Sequence, residues 1–365
     1  MSIAIIGAGP AGATAAKHLA KHDDVTIYEE HPQVGKPVAC TGILTDSLNN
    51  YLTLKKKYIL NKIRRFEVYG TKEKTEFTVK GENVIVDRHL FDQALIEDAI
   101  KQGAKLETNH RLKDVKLNKK IHLNFANNTK EEVDILIGAD GPVSTVAKQI
   151  GLFKKRDFIV GMQVLANGDF NKHVIEVHMT KSPGLFAWVV PVNEEVARVG
   201  VATAHKTSDW LKTFLAFLKT KDYTYCKGDD ESGVIPLYNR HVQTQKENRV
   251  FLVGDAATQT KNTTAGGIVP GIICGNILAD SIKNKTDYQK TWRKKIGKDL
   301  YYHYLIRKAI DTFKPKDYDK LVQLLQKEKP KSLIETFDRE FPSKFMMKML
   351  LHEPKLLGMV KHLRL

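Results

Sequence analysis

Residues 3–6 form an unbroken apolar run that stops at Gly7, an Ala-rich stretch with helical spacing follows over 13–22, and a second short apolar run covers 25–28. Strand, helix and strand within about 30 residues is the opening of a parallel βαβ unit. A helix is expected over 89–102, closed by Gly103, because glycine commonly follows a helix end. Alternating runs at 105–108, 112–117, 121–125 and 133–137 predict short strands. Between 158 and 202 the alternation lengthens, with strands expected at 159–165, 174–178, 185–190 and 197–202, which points to a separate sheet. The run 250–253 and the helix after Gly267 return to the parallel style, so the first domain is discontinuous. From about 286 the periodicity is helical and ends in a Met- and Leu-rich segment, 345–351, before Pro354. The expected fold is α/β: a Rossmann-type dinucleotide-binding domain built from 1–65, 81–155 and 249–285, an antiparallel-sheet substrate domain from 66–80 and 156–248, and a helical C-terminal region over 286–365.

Composition narrows the class. With 365 residues, 42% apolar and 27% charged, the chain has length for two or three structural units and is neither disordered nor fibrous. Cys40, Cys226 and Cys274 are too few and too scattered for a disulfide framework or a closed zinc site, which favours a reducing, cytoplasmic compartment. The thirteen histidines form no HxH or HExxH pattern, so no metal is expected, and His173 and His178 are placed at the surface. The longest nearly apolar stretch, 266–279, is shorter than the ~20 residues that cross a bilayer. No leader is expected to be removed, because an apolar strand starts at Ser2 and runs into the glycine cluster. The net charge of +16 is concentrated at the end: residues 281–365 hold 21 Lys and Arg against 10 Asp and Glu. Such a segment suits nucleic acid, an anionic membrane surface, a phosphate-bearing substrate or a plain solvated helical face.

The first chemistry-bearing motif is Gly7, Gly9, Ala11 and Gly12 directly after a strand and opening a helix, followed 22 residues after Gly7 by Glu29 at the end of the second strand. Glycines permit a tight turn and close approach of backbone N–H groups, the helix start favours a pyrophosphate, and the carboxylate accepts ribose hydroxyls. Two further strand ends carry aspartates: ILIGADGP at 135–142 with Asp140 and Gly141, and RVFLVGDAA at 249–257 with Gly254 and Asp255. This pairing resembles the flavoprotein superfamily typified by para-hydroxybenzoate hydroxylase. The resemblance implies FAD as cofactor, Asp255 toward the flavin's ribityl chain, and Arg88 in VDRHLFDQAL as a further cofactor-side residue. The chain departs from the superfamily after the first aspartate motif, where Ala147 and Lys148 stand in place of its arginine.

Three segments point to one branch: GKPVACTG at 35–42, PGLFAWVVP at 183–191 and KNTTAGGI at 261–268. They resemble the geranylgeranyl reductase family, especially its archaeal-type digeranylgeranylglycerophospholipid reductases, with Phe186 and Val190 replacing a Tyr and a Phe and Ala265 replacing a Gly. The resemblance implies reduction of isolated isoprenoid double bonds by hydride from reduced flavin N5 plus a proton. It assigns Cys40 and Trp188 to catalysis, Phe186, Trp188 and Gly42 to substrate, and Gly266, Gly267 and Ile268 to the flavin. Plainer readings stand beside these: Cys40 as a small packing residue, Phe186 and Trp188 as core aromatics, and the glycine pair as a close helix contact. The rival activity is a flavin-dependent monooxygenase or halogenase, since halogenases carry a WxWxIP segment that FAWVVP partly echoes. Expected partners are a prenylated lipid, an external electron donor (nicotinamide, deazaflavin or ferredoxin) and an anionic membrane surface touched by the basic C-terminal part, with no nucleic acid.

Overall fold

The structure is a computed structural model that describes residues 1–179, 185–203, 210–221, 223–225 and 230–359. It divides into two compact units, Met1–Pro37, Arg88–Asp157 and Ile235–Tyr301 in the first, and Val38–Asp87, Phe158–Val234 and Tyr302–Leu365 in the second.

In the first unit the apolar runs become a six-stranded sheet, ordered Gln245–Lys246, Val250–Leu252, Ile135–Gly138, Ser2–Ile6, Asp24–Tyr28 and Lys105–Glu107. All but the first neighbour pair run parallel, which explains strands that are apolar end to end: both faces are covered. The helices Pro10–Leu19 and Ile268–Lys283 pack closely, because a Cβ on Gly275 would stand 2.8 Å from the Ala11 carbonyl and one on Gly271 3.3 Å from the Ala11 Cβ. A small antiparallel sheet of Leu112–Leu117, Ile121–Phe125 and Lys130–Val133 shares a buried core with Tyr28, Leu136, Val146 and Leu252.

The second unit carries a nine-stranded sheet. Its centre is the antiparallel run Phe158–Asn167, Val196–Thr203, Phe186–Pro191 and Val174–His178, close to the expected bounds. The long hairpin Ile59–Tyr69 and Lys74–Val86 extends it, with Val174–His178 parallel to Ile59–Tyr69. Here the structure departs from the expected division. Residues 38–65 and 81–87 belong to the second unit rather than to the cofactor domain, and 235–248 and 286–301 belong to the first unit. The hairpin hides its strand character because its outward positions are charged while Ile63, Phe77 and Ile85 turn inward. The helices from Tyr302 onward cluster with the second unit; for example, Asp319 Oδ1 accepts backbone N–H groups of Thr71, Lys72 and Glu73. His178 is buried, not exposed: its ring stacks on Tyr69 with centroids 4.3 Å apart and its Nε2 lies 2.8 Å from Glu176. Among the described residues no helix is long and apolar enough to cross a membrane.

Candidate functional site

Two sets of side chains stand out, one in each unit. The first surrounds a cavity of about 310 Å³ at the strand ends of the parallel sheet, lined by Gly7, Gly9, Glu29, Asp140 and Gly141 among others. The three motif glycines have different reasons. Gly7 has φ +103° and a Cβ there would sit 2.3 Å from the Ala139 carbonyl; a Cβ on Gly12 would sit 2.2 Å from the Gly7 carbonyl. Protein packing therefore demands both. A Cβ on Gly9 meets nothing within 4 Å, so what Gly9 leaves open is room for a ligand. Gly9 is also the N-cap of Pro10–Leu19 and has no side-chain cap, which leaves the helix start to an anion. Ala11 lies in the first turn, where a Cβ added to Gly254 would stand 2.9 Å from the Ala11 Cβ.

Glu29 is fixed by the Ala8 N–H at 2.9 Å on Oε2 and by His31 N–H and Nδ1 at 3.0 and 2.7 Å on Oε1. A carboxylate offers about four acceptor positions, so it retains capacity for ribose hydroxyls. Asp140 accepts from Ser144 Oγ at 2.6 Å and the Val146 N–H at 2.9 Å, ordering the turn into Thr145–Gln149. Burial pushes its carboxyl pKa up while those bonds pull it back.

Asp255 differs. It follows Val250–Leu252, and among the described residues no donor bonds its carboxylate. Burial raises its pKa to about 6 against the opposing pull of the Arg88 charge. Arg88 opens the helix Arg88–Ile100 and pairs with Asp92 through two bonds of 3.2 and 2.8 Å. Gly267 caps Ile268–Lys283, and a Cβ there would fall 2.5 Å from Asp255 Oδ1. Gly254 takes φ +67°, with its N–H held by Gln259 at 2.8 Å. Gly266 bridges back to Lys261, and Ala265 at the turn adopts φ +56°. A carboxylate without protein donors, an uncapped helix start and a glycine that opens toward nothing fit a cofactor carrying hydroxyls and a pyrophosphate. Thr258, Gln259 and Thr260, which open the buried polar run 258–262 that holds this loop, were not singled out in the sequence, although their polarity between two motif segments was a usable signal.

The second set lies on one face of the nine-stranded sheet. Phe186 and Trp188 share that face with ring centroids 5.9 Å apart, and Trp188 packs against the cluster of Ile63, Ile85, Ile175 and Val190. Both aromatic residues are half-buried, so neither is a closed core residue. Gly200, directly opposite Trp188 on the next strand, would carry a Cβ only 2.4 Å from the indole ring; its absence lets the indole lie flat. Across this face runs the loop with Cys40 and Gly42. Cys40 is half-buried and its Sγ accepts the Gly42 N–H at 3.4 Å, while Gly42 has φ +74°. Arg198, a buried residue of Val196–Thr203, donates to the Thr41 and Val86 carbonyls at 2.8 and 3.1 Å and so pins the loop. Gln163, Arg198 and Gly200 escaped the sequence reading, since single residues in alternating strands carry no motif. Cys274 is buried in Ile268–Lys283, where burial lifts its thiol pKa well above the usual range, and Cys226 and Pro183 lie outside the described residues.

Comparison with known proteins identifies the family of the chain. A family model described as an FAD binding domain matches residues 60–273, and one described as an NAD(P)-binding Rossmann-like domain matches residues 5–41. A digeranylgeranylglycerophospholipid reductase of Methanosarcina acetivorans is 27% identical over 370 residues, covering 91% of this chain and 90% of the relative. Among solved structures, a geranylgeranyl bacteriochlorophyll reductase-like protein from Thermoplasma acidophilum superimposes with a TM-score of 0.85 at 20% identity, covering 98% of this chain and 97% of the other. A flavin-dependent halogenase superimposes with a TM-score of 0.70 at 16% identity, covering 98% of this chain and 78% of the other.

Proposed function

Because this chain belongs to the FAD binding domain family, we propose that it is an FAD-dependent reductase that saturates the isolated double bonds of geranylgeranyl chains, carried on archaeal-type digeranylgeranylglycerol phospholipids. The observation that carries the reading is an apolar, aromatic sheet face crossed by a cysteine-bearing loop, in a chain that also holds a flavin cradle. The near full-length relative named for that reaction supports it. The shared halogenase fold does not discriminate between the activities.

An isolated alkene has no carbonyl to take up negative charge, so adding hydride to one carbon requires a proton at the other, with tertiary cationic character between them. Bound and reduced, FAD supplies the hydride. Gly9, Glu29, Asp140 and Asp255 would hold it, the first leaving room for the pyrophosphate and the carboxylates accepting hydroxyls. The faces of Trp188 and Phe186 stabilise the developing positive charge, a cation–π term of about 1–2 kcal/mol when water is excluded. Cys40 is the proton donor: its Sγ accepts the Gly42 N–H, leaving its own S–H to give. One hydride and one proton per double bond balance the reaction, and a nicotinamide, deazaflavin or ferredoxin restores the electrons. Cys40→Ser should retain FAD and lose most alkene reduction; wild-type turnover in that variant would make Cys40 a packing residue. A reductase also continues under strict anaerobiosis, where a monooxygenase or halogenase stops.

The substrate's lipid nature argues for a peripheral station on the cytoplasmic face of the membrane. The Met- and Leu-rich segment after residue 344 turns apolar side chains both inward and outward. Met349 turns inward and Phe345 packs on Phe337, whereas Met347 and Leu351 point outward at 60% and 74% exposure, with Leu357 at 49%. Lys344, Lys348 and Lys355 lie in the same stretch, and each basic group near an anionic surface contributes about 1 kcal/mol. Val360, Lys361, Leu363 and Arg364 lie outside the described residues.

A further inference from the structure

Three adjacent strands of the second unit place Gln163, Gly200 and Trp188 in one register row. The middle position has no side chain, so the indole of Trp188 crosses the intervening strand and its Nε1–H donates to Gln163 Oε1 at 3.3 Å. The same oxygen accepts from Thr41 Oγ1 at 2.7 Å, in the loop that carries Cys40 and Gly42. On the other side, Gln163 Nε2 donates to Glu231 Oε2 at 2.5 Å. An indole N–H only donates and an ionised carboxylate only accepts, so these partners allow one orientation of the amide; the flipped one would set N–H against N–H. At 3% exposure, Gln163 has no water to substitute for a lost partner.

We propose that Gln163 is a positioning residue that locks the Cys40 loop and the Trp188 indole to one another, with Glu231 fixing its orientation. The proposal rests, for its catalytic consequence, on the reading above that Cys40 and Trp188 serve the substrate. Its geometric content stands without that reading. A substrate pocket built from a loop on one side and an aromatic wall on the other needs both at a set spacing, and a single buried amide sets it here. Arg198 holds the loop backbone at Thr41 but has no bond to Trp188, so it cannot couple the two.

The test uses the FAD-loaded full chain with Gln163→Met, which keeps length and apolar volume, and Thr41→Val, which removes only the loop's bond and guards against a folding failure. Three quantities are read: the rate of Cys40 alkylation by iodoacetamide, corrected with Cys40→Ser; the emission of Trp188, isolated by difference against Trp188→Phe; and kcat and KM on a geranylgeranylated phospholipid in reduced enzyme. Both variants should alkylate roughly fivefold faster, the equivalent of one net hydrogen bond of about 1 kcal/mol. The Gln163→Met variant should also shift Trp188 emission, and the double variant should alkylate no faster than Gln163→Met alone. Turnover should fall mainly in kcat. Alkylation and emission equal to wild type in both variants would overturn the proposal, as would additive effects in the double variant. Changed alkylation and emission in a protein that reduces no prenyl lipid would uphold the positioning role and reject the reductase reading instead.

Discussion

Asp255→Asn separates a cofactor ligand from a structural residue, because the two roles predict opposite signs. Among the described residues no donor bonds the carboxylate, and burial raises its pKa from 3.8 to about 6. At 1.36 kcal/mol per unit, keeping it ionised in the FAD-free protein above pH 7 costs about 3 kcal/mol of stability. The sign follows from proton linkage: an acid whose folded pKa exceeds its unfolded value binds more protons when folded between about pH 4 and 6, so stability falls as pH rises through that window. The isosteric amide removes the charge, and its own unmet hydrogen bonds take back part of the gain, leaving about 1–2 kcal/mol of stabilisation at pH 8. FAD affinity should move the other way, falling about tenfold or more as an acceptor for cofactor hydroxyls is weakened. The assay is thermal melting of FAD-free protein at pH 5 and pH 8, with a fluorescence titration of FAD. Wild type should melt lower at pH 8 relative to Asp255→Asn, and the gap should narrow by about half of the ~3 kcal/mol at pH 5. A variant that is less stable at pH 8, or that binds FAD as tightly as wild type, refutes the reasoning.

Gly9→Val should abolish FAD binding while leaving melting of the FAD-free protein within about 1 kcal/mol, since a Cβ there meets no protein atom within 4 Å; FAD retained after gel filtration would contradict this. Ala265→Gly should stabilise the chain by about 1 kcal/mol in denaturant unfolding, because Ala265 holds φ +56° where glycine is unstrained; destabilisation would show that the methyl packs productively. Gly200→Ala, whose Cβ would stand 2.4 Å from both the Met162 carbonyl and the indole, should displace the Trp188 ring and its neighbouring strand, lowering turnover and shifting chain-length preference while FAD content stays near wild type; unchanged kinetics with every prenyl length would place Trp188 outside the pocket. Met347→Ser with Leu351→Ser should weaken co-sedimentation with anionic vesicles at low salt by about 1–3 kcal/mol, and equal binding by wild type and variant would move the membrane contact elsewhere.

The cofactor cradle was legible in the sequence because each part is a strand end followed by a glycine or an acid, and strand ends in a parallel sheet are where ligands bind. Gly7, Gly9, Gly12, Glu29, Asp140 and Asp255 all carry that local signal. The substrate face was legible only in its aromatic pair. What locks it is a row across three strands, and which residues share a row depends on register; Gln163 at one end and Gly200 in the middle are ordinary strand residues until pairing is known. The division of the chain at Pro37 was hidden for a related reason. Only the outer half of the hairpin of Ile59–Tyr69 and Lys74–Val86, within 66–80, reads as part of the sheet domain; its inner half, where Ile63, Val84 and Ile85 are buried, runs straight into the helix at Arg88 and reads with the cofactor domain.

The most direct test of the central claim is mass spectrometry of lipids after anaerobic incubation of dithionite-reduced protein with digeranylgeranylglycerophospholipid and, in parallel, with free geranylgeranyl diphosphate. The account predicts products carrying two added hydrogens for each double bond reduced, formed on the phospholipid and greatly diminished in Cys40→Ser. Recovery of both substrates unreduced, with FAD bound and competent to be reoxidised, would contradict it.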